Sequence, residues 1–289
     1  MLTGRTRAAG VIGSPVRHSL SPAIFNAAFV AAGLDWAYLA FEVPEGSAGA
    51  AVAGVRALGL DGLSVTMPHK AAVIDQLDGL SDTAAALGSV NCITNRGGVL
   101  HGDNTDGAGF IDALRLDEGI EVAGARCAIV GAGGAGRAVA RSLGEAGAAS
   151  IVVINRTRAA AERAVALAGP RARIGTAADA QTAELVVNAT PLGMGVVVTT
   201  AGDPEPLPID VAHLGAGQVV VDLVYHPAVT PLLAEARRLG LQTVNGLGML
   251  IHQAAHAFRL WTNEEPPLEA MSAAAVAGLT TSRATPEIH

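Results

Sequence analysis

The stretch CAIVGAGGAG, residues 127–136, decides the fold class of this chain. Strand-forming residues lead into a GxGxxG pattern, and small helix-forming residues continue to about Ala146. In such a turn the first glycine permits a tight bend, the second lets the backbone approach a pyrophosphate, and the third lets the helix pack on the strand. Free N–H groups at the start of that helix favour an anion. The stretch therefore predicts a strand–turn–helix unit that binds a dinucleotide, with an ordinary turn in a glycine-rich chain as the alternative.

The next predicted strand indicates which dinucleotide is bound. Residues 151–154 are apolar and are followed by NRTR, residues 155–158, about two dozen positions after Gly131. A site for NAD usually has Asp or Glu there, on the ribose 2′-hydroxyl, and this chain has neither. Arg156 and Arg158 instead offer guanidinium groups that match a 2′-phosphate in charge and geometry. The pattern favours NADP as the cofactor, with a pair of solvated surface arginines as the alternative.

The rest of the chain continues the alternation of strands and helices. One series of predicted strands begins near Ala9 and a second at Cys127, and such alternation is typical of parallel strands joined by crossover helices. The last long helix is predicted from Leu247 to Trp261, because its apolar residues recur at helical spacing. Beyond Asn263 the sequence EEPP breaks the pattern, so we expect the tail to His289 to be loosely held. An α/β fold of two domains follows.

Composition and charge exclude several classes of protein. The chain has 289 residues, of which 50% are hydrophobic and 16% charged, and this argues against disorder. The net charge of -7 without a long basic run argues against nucleic acid as a partner. No segment has the pattern of a membrane span or a signal peptide, so no membrane partner is expected. Cys92 and Cys127 lie in apolar runs without metal-ligand spacing, which predicts buried thiols, no metal site and a cytoplasmic location.

Lys70 is the single lysine among 19 basic residues, the others being arginine. Arginine stays protonated in proteins, whereas burial or a neighbouring charge can bring the pKa of a lysine toward neutrality. A position that must give and take a proton could therefore need lysine. Lys70 also follows a predicted strand at its carboxyl end, where open α/β sheets bind ligands. The alternative is one unreplaced surface lysine.

Other polar side chains occur at comparable places. Ser19 and Ser21 follow the first strand, Asn91 follows a helix end, and residues 103–107 precede another helix. Singly, each has a structural explanation: Ser21, Thr105 or Asp106 as a helix cap, and Asn91 as a turn residue. Together, they offer the hydroxyl, amide and carboxylate groups that would bind a small polyhydroxylated acid.

Eight blocks of this sequence resemble, in the same order, the blocks of the shikimate dehydrogenase family. They are GSPVRHSLSP (13–22), VTMPHK (65–70), GSVN (88–91), GDNTDG (102–107), GAGGAG (131–136), NRT (155–157), NATPLGM (188–194) and NGLGML (245–250), which runs on into Gln253. The resemblance covers nearly the whole chain and is far more specific than any one motif.

The resemblance implies a two-domain α/β architecture, with the active site in the cleft between the domains. An N-terminal substrate-binding domain with a mainly parallel sheet would cover residues 1–106 and be completed by residues 243–289. A Rossmann NADP-binding domain would cover residues 107–242. The implied activity is the reversible, NADPH-dependent reduction of 3-dehydroshikimate to shikimate, on the way to chorismate and the aromatic amino acids. Shikimate or 3-dehydroshikimate would be the small-molecule partner, and the protein would be a monomer or homodimer.

The resemblance also implies roles for individual residues. Lys70 and Asp106 would be the catalytic pair, with Lys70 as proton donor and acceptor. Contacts with the substrate would come from Ser19, Ser21, Thr66, Asn91, Asp106, Tyr225 and Gln253. Contacts with the cofactor would come from Asp82, Gly131, Ala132, Gly133, Gly134, Ala135, Asn155, Arg156, Thr157, Arg158, Leu223 and Gly246.

The sequence departs from the family pattern at three positions. Ser64 stands where many members have Asn, so one substrate hydrogen bond is expected to be lost or supplied by water. Phe25 replaces a frequent His at an expected packing position, and Pro191 replaces a frequent Ser in a loop expected near the nicotinamide.

The alternative functions are a quinate/shikimate dehydrogenase using NAD and a non-catalytic NADP-binding protein. Ser21, where quinate-preferring relatives often have Thr, argues against the first, and Lys70 with Asp106 argues against the second.

Overall fold

The computed structural model describes residues 2–195 and 207–281. It divides the chain into two compact units, Met1–Thr105 with Ile251–His289, and Asp106–Leu250. The first segment ends one residue before the predicted boundary at 106. The chain returns to the first unit at Ile251 rather than at residue 243, because residues 242–244 form a strand of the second sheet.

Six described strands form the sheet of the first unit. They are β1 (Arg7–Gly13), β2 (Trp36–Glu42), β3 (Gly62–Val65), β4 (Gly79–Leu80), β5 (Cys92–Arg96) and β6 (Val99–Asp103). Their order is β2-β1-β3-β5-β6-β4. Neighbouring strands are parallel except where β5 pairs with β3 and β6, so the sheet is mainly parallel, as predicted.

Helices cover both faces of this sheet. They are α1 (Ser21–Ala31), α2 (Ala48–Leu58), α3 (Asp82–Leu87), α8 (Leu247–Thr262) from Ile251 onward, and α9 (Leu268–Thr281). On one side, Val52 and Val55 of α2 pack with Leu63 and Val65 of β3. The other side holds an aromatic cluster in which Phe25 of α1 contacts Trp261 of α8. The core therefore packs on both faces of the sheet at β3.

The chain after Asn263 differs from the prediction of a loosely held tail. Residues 268–281 form α9, which packs along α1 and buries Met271 and Ala275 completely. The break at EEPP is real but short, because small residues resume a helical pattern immediately after it. The prediction was wrong for residues 268–281, and residues 282–289 lie outside the described part.

The second unit contains a fully parallel sheet of six described strands. They are β7 (Arg126–Val130), β8 (Ser150–Ile154), β9 (Ala172–Ile174), β10 (Leu185–Asn188), β11 (Val219–Asp222) and β12 (Gln242–Val244). Read from β9, the order is β9-β8-β7-β10-β11-β12. This is the doubly wound Rossmann order, whose switch point lies between the first and fourth strands, here β7 and β10.

Four described helices belong wholly to the second unit. They are α4 (Asp106–Asp112), which continues as a π-helical turn over Ala113–Asp117, α5 (Gly134–Glu145), α6 (Arg158–Ala168) and α7 (Pro231–Arg238). Thr230 caps α7 by accepting a hydrogen bond from the N–H of Leu233 at 3.3 Å, and Pro231 occupies the first turn. Apolar residues of β7, β8 and β10 fill the core between the helices. None of the described helices has the length and hydrophobicity needed to cross a bilayer.

Candidate active site

The segments after β1 and β3 lie side by side at one edge of the first sheet. The N–H of Thr66 donates to the carbonyl of Ile12 at 3.0 Å, and the N–H of Val90 donates to the carbonyl of Lys70 at 2.8 Å. These bonds join the chain after β3 to the end of β1 and to the segment that enters β5. The structure thus brings Thr66, Lys70 and the neighbour of Val90, Asn91, to the same edge, where a sheet of this type binds ligands.

Asn91 is the centre of a buried network of polar groups at that edge. Its amide Nδ2 donates to the hydroxyl of Thr105 at 3.0 Å and lies 3.5 Å from Oε1 of Gln253. Its Oδ1 accepts from the N–H of Thr105 at 2.9 Å, and the Thr105 hydroxyl lies 3.0 Å from the carbonyl of Gln253. Because both ends of the Asn91 amide are engaged, its orientation is fixed, and Gln253 of α8 is fixed with it. The predicted pair Asn91 and Gln253 is therefore brought together.

Two predicted serines lie at the start of α1. The hydroxyl of Ser19 accepts a hydrogen bond from the N–H of Ser21 at 3.2 Å. Ser21 is 7% exposed, whereas Ser19 is half-buried. Ser64, two positions before Thr66 on β3, accepts a hydrogen bond from Tyr38 at 2.7 Å. The hydroxyl that replaces the frequent Asn of the family pattern is thus part of a hydrogen-bonded pair.

The two predicted catalytic residues belong to different units. Lys70 is half-buried and lies in a turn after β3, whereas Asp106 is 6% exposed and is the first residue of α4. Asp82, predicted at the cofactor, is exposed in the first turn of α3. The structure does not join Asp82 to the Asn91 network, and its role stays a prediction.

The glycine loop of the second unit has the geometry that a bound pyrophosphate needs. Gly131 has a φ of +104°, and its N–H donates to the carbonyl of Ile154 at 2.8 Å. A Cβ on Gly136 would clash with the carbonyl oxygen of Gly131, so only glycine lets α5 approach β7 this closely. No side chain caps the N-terminus of α5, and a Cβ on Gly133 would meet open space. The loop and the first turn of α5 therefore fit a dinucleotide phosphate.

The segment after β8 lies against this loop. The Oδ1 of Asn155 accepts from the N–H of Ala132 at 3.1 Å, and its Nδ2 donates to the carbonyl of Thr157 at 2.9 Å. Arg158 is exposed and forms an ion pair with Glu162 at 2.9 Å. Arg156 is exposed and makes no hydrogen bond or ion pair within residues 2–195 and 207–281. The structure therefore distinguishes two arginines that have the same predicted role. Arg156 is available to bind an anion, whereas Arg158 is already paired with the carboxylate of Glu162.

Arg137 and Arg163 add positive charge to the same part of the second unit. Arg137 lies in the first turn of α5, directly after the glycine loop, and Arg163 lies on α6. Burial lowers the pKa of Arg137, and the like charge of Arg163 lowers it further. An anion bound near these guanidinium groups would relieve this repulsion. Sequence reasoning missed both residues, although Arg137 follows the glycine pattern directly.

The ends of β10 and β11 are joined by a buried carboxylate. Asp222 accepts hydrogen bonds from Nδ2 of Asn188 at 2.9 Å, from the N–H of Val224 at 3.1 Å and from the hydroxyl of Thr230 at 2.6 Å. Burial raises the pKa of this carboxyl group, although the three donors act in the opposite direction. The cluster holds the turn that contains Leu223, predicted at the cofactor. Sequence reasoning missed this cluster.

Tyr225 and Gly246 lie in or against the same turn. Tyr225 is half-buried, and burial raises the pKa of its phenol. Gly246 is packed so closely on Leu223 that a Cβ on Gly246 would clash with the carbonyl oxygen of Leu223. The predicted cofactor residues Leu223 and Gly246 are therefore brought together.

Comparison with known proteins decides the family. Residues 11–93 match the family model of the shikimate dehydrogenase substrate binding domain, residues 115–192 that of shikimate / quinate 5-dehydrogenase, and residues 246–276 that of the shikimate 5'-dehydrogenase C-terminal domain. A curated relative, the shikimate dehydrogenase (NADP(+)) of Symbiobacterium thermophilum, is 47% identical over 291 residues, which cover 96% of each chain. The chain belongs to the shikimate dehydrogenase family.

Solved structures of shikimate dehydrogenases share the fold of this family member. One, in complex with NADP+, matches with a TM-score of 0.87 and 37% identity, over 96% of this chain and 98% of that chain. The enzyme of Thermus thermophilus, in complex with NADP(H) and shikimate, matches with a TM-score of 0.85 and 39% identity, over 94% of this chain and 100% of that chain. The predicted family and architecture are confirmed.

The structure shows how Phe25 and Pro191, two of the residues in which this chain departs from the family pattern, are placed. Phe25 is 1% exposed and stacks on Tyr38, so the expected packing role is confirmed. Pro191 is exposed in a turn closed by the N–H of Met194, which donates to the Pro191 carbonyl at 3.1 Å. Cys92 and Cys127 are both buried and unpaired, as expected. Among the described residues, no three His, Cys, Asp or Glu side chains are placed to hold a metal ion.

Proposed function

We propose that this protein catalyses the reversible, NADP-dependent reduction of 3-dehydroshikimate to shikimate. The observation that carries the proposal is the buried Asn91–Thr105–Gln253 network, which lies at the sheet edge that also holds Thr66 and Lys70. A fixed amide and hydroxyl beside a single lysine suit a small polyhydroxylated substrate. The second unit supplies a glycine loop of the kind that binds a dinucleotide.

The cofactor is NADP, and Arg156 is the residue that selects it. Its guanidinium group is exposed after β8, next to Asn155, which contacts the glycine loop. A 2′-phosphate accepts charge-assisted hydrogen bonds from such a group, whereas a ribose 2′-hydroxyl gains little from it. Further contacts come from the loop residues 131–135, Thr157, Leu223 and Gly246. Arg158 contributes mainly long-range charge, because Glu162 already pairs with it.

Lys70 and Asp106 are the catalytic pair. NADP(H), when bound, supplies the hydride chemistry, so the protein must orient the substrate and manage one proton. The Lys70 ammonium stabilises negative charge that develops on the substrate oxygen and gives that oxygen its proton, an effect typically worth about 10²–10⁴-fold in rate. In the reverse direction the Lys70 amine takes the proton back. Asp106 accepts a hydrogen bond from a substrate hydroxyl.

We assign the remaining substrate contacts, with the carboxylate and hydroxyl groups of shikimate, to Ser19, Ser21, Thr66, Asn91, Gln253 and Tyr225. Thr105 holds Asn91 and Gln253 without being assigned a contact of its own. The reaction belongs to the route to chorismate and the aromatic amino acids. Two unpaired cysteines support a cytoplasmic location, and we propose a monomer or homodimer as the active form.

One comparison of initial rates tests this function. Shikimate and quinate are each supplied with NADP+ and with NAD+, and absorbance of the reduced nicotinamide is followed. We expect shikimate with NADP+ to give the highest kcat/KM of the four pairs. A higher kcat/KM for quinate with NAD+ would instead establish a quinate/shikimate dehydrogenase, and no turnover of any pair would leave a non-catalytic NADP-binding protein.

A further inference from the structure

Asp222 ends β11 with a carboxylate that the proposed mechanism does not use. Its side chain is fully buried, and each of its partners donates to it: Nδ2 of Asn188 at 2.9 Å, the N–H of Val224 at 3.1 Å and the hydroxyl of Thr230 at 2.6 Å. The Thr230 hydroxyl in turn accepts from the N–H of Leu233, so its own proton points to Asp222. Three donors and no acceptor are the surroundings of an ionised carboxylate.

The charge of Asp222 is neutralised by dipoles rather than by a positive side chain. Its three hydrogen-bond donors are neutral groups, and no arginine, lysine or histidine of residues 2–195 and 207–281 forms an ion pair with it. Burial raises the pKa of this carboxyl group, as expected for a negative charge taken out of water. In such surroundings the field of the charge is weakly screened and extends to neighbouring sites.

Asp222 lies in the row of residues that ends four parallel strands. The register pairs Ile154 of β8 with Val130 of β7, and it pairs Val130 with Asn188 of β10. Asn188 is paired in turn with Asp222 of β11. The glycine loop follows Val130 directly. Because neighbouring strands are about 4.8 Å apart, Asp222 lies about 10 Å from the start of that loop, on the side away from β8.

The position of this row decides which half of the cofactor would meet the charge. A dinucleotide binds across the switch point, here between β7 and β10, with one half on each side. The proposed function places the 2′-phosphate of NADP at Arg156, which follows β8. The adenosine half therefore takes the β8 side. The nicotinamide half is left with the carboxyl ends of β10 and β11, where Asp222 lies.

Asn188 links the carboxylate to the turn that follows β10. Its Nδ2 faces Asp222, while its Oδ1 accepts from the N–H of Thr190 at 3.0 Å and from the Thr190 hydroxyl at 2.7 Å. Thr190 packs so closely on Gly131 that a Cβ on Gly131 would clash with its methyl group. The carboxylate is thus held in a fixed position relative to the glycine loop, as an electrostatic effect on a bound cofactor requires.

We propose that Asp222 is a specificity-determining residue for the redox state of the cofactor, because its buried negative charge favours the cationic ring of NADP+ over the neutral ring of NADPH. The inference rests on the proposed function and adds a residue and a role to it. It assigns Asp222 no contact with the cofactor, because both carboxylate oxygens already accept hydrogen bonds. The two forms of NADP share their phosphates and differ in the charge of the ring, so the ratio of their dissociation constants isolates this effect.

The variant Asp222→Asn tests the proposal, because it removes the charge and keeps the shape of the side chain. Isothermal titration calorimetry gives Kd for NADP+ and for NADPH without substrate, so no turnover is needed. We expect the ratio of Kd for NADP+ to Kd for NADPH to rise about three- to tenfold, which Coulomb's law gives for unit charges about 10 Å apart at an effective dielectric constant of about 25–50. Most of the change should lie in Kd for NADP+.

Thr230→Val is the matched control for structure alone. It removes the hydrogen bond between Thr230 and Asp222, the same bond that Asp222→Asn loses, and it keeps the charge. A less well held turn after β11 should weaken the binding of both forms of NADP alike. The ratio of the two Kd values should therefore stay that of the wild type in Thr230→Val.

Two outcomes overturn the proposal: an unchanged ratio in Asp222→Asn, or a rise in Thr230→Val as large as that in Asp222→Asn. Should Asp222→Asn not fold, Asp222→Ser, which also lacks the charge and can still accept a hydrogen bond, takes its place with the same expected rise and the same overturning outcome. Wild-type protein that binds neither form of NADP would contradict the proposed function and this inference with it. Wild-type protein that binds both forms, with a ratio that these variants do not change, would contradict only the role of Asp222.

Discussion

Removing the carboxylate of Asp222 should destabilise the second unit more than most single substitutions would. Asp222 is fully buried, and its three donors come from the end of β10, the turn after β11 and the cap of α7. Asn188 is 1% exposed and Thr230 is fully buried, so water cannot replace the lost acceptor. Asp222→Ala therefore leaves three buried donors unsatisfied at once.

The size of the effect follows from these contacts. Each unsatisfied buried donor costs about 1–3 kcal/mol, while removal of a poorly solvated charge returns part of that sum. We expect Asp222→Ala to lower the free energy of unfolding by about 3–5 kcal/mol. Asp222→Asn keeps an acceptor for Asn188 and Val224 and loses only the bond from Thr230, so we expect about 1 kcal/mol. At about 2–4 °C of Tm per kcal/mol, the alanine variant should unfold at least about 6 °C earlier.

Urea denaturation and calorimetry measure these differences, with Thr230 as the matched control position. Thr230→Val removes the hydroxyl that binds Asp222 and caps α7, whereas Thr230→Ser keeps it. Only the valine variant should be destabilised by about 1–2 kcal/mol. Asp222→Ala combined with Thr230→Val should cost less than the sum, because the two residues share one bond.

The pH dependence gives an independent check. The pKa of Asp222 is raised in the folded protein, so its contribution to stability is fully present below the unfolded pKa and is lost as pH rises through the folded pKa. The stability advantage of the wild type over Asp222→Asn should therefore shrink as pH rises from about 4 toward neutrality. An alanine variant within about 0.5 kcal/mol of the wild type, or an advantage that grows with pH, would refute the account of this cluster.

Three further predictions concern the proposed catalytic, cofactor and surface residues. Lys70→Ala should lower kcat more than about a hundredfold with KM little changed, because the proton donor is lost but the substrate contacts remain, and initial rates with shikimate measure this. Arg156→Ala should weaken binding of NADPH while barely affecting NADH, as fluorescence titration of each cofactor would show. Asp179 should titrate with a pKa of about 2 by NMR, because Arg173 and the N–H of Thr176 both bind its carboxylate; its stabilising effect should persist above the unfolded pKa and disappear as pH falls through about 2.

Each of these three has an outcome that would contradict it. Near-normal turnover in Lys70→Ala would show that Lys70 takes no part in the mechanism. The variant Lys70→Arg keeps the positive charge but cannot give up its proton, so its kcat should be nearly as low as that of Lys70→Ala. Equal losses for NADPH and NADH in Arg156→Ala would exclude a 2′-phosphate contact. A midpoint for Asp179 near the ordinary value would mean that the bonds from Arg173 and Thr176 do not persist in solution.

The sequence predicted best those features that depend on neighbouring residues. The glycine loop is one, because the requirement for glycine at Gly136 arises from a backbone atom only five residues earlier. The strand–helix alternation indicated the α/β class, because each element carries its own periodicity. The prediction for the residues after Asn263 was wrong because it used neighbouring residues alone. The sequence EEPP breaks the helical pattern locally, but α9 is stabilised by packing on α1, which lies more than two hundred residues earlier.

Features that depend on distant residues could not be predicted in the same way. Nothing in the sequence indicates that Tyr38 would meet Ser64, because strand periodicity places it in a core and says nothing about its hydroxyl partner. Asp222 is similar: an acidic residue after an apolar strand could be solvated, and only the approach of Asn188 and Thr230 makes it a buried acceptor. Buried polar groups need partners, and the fold alone decides which residues come close enough to serve. A lone polar residue inside or just after an apolar strand is therefore the sequence feature that most needs a structure to interpret it.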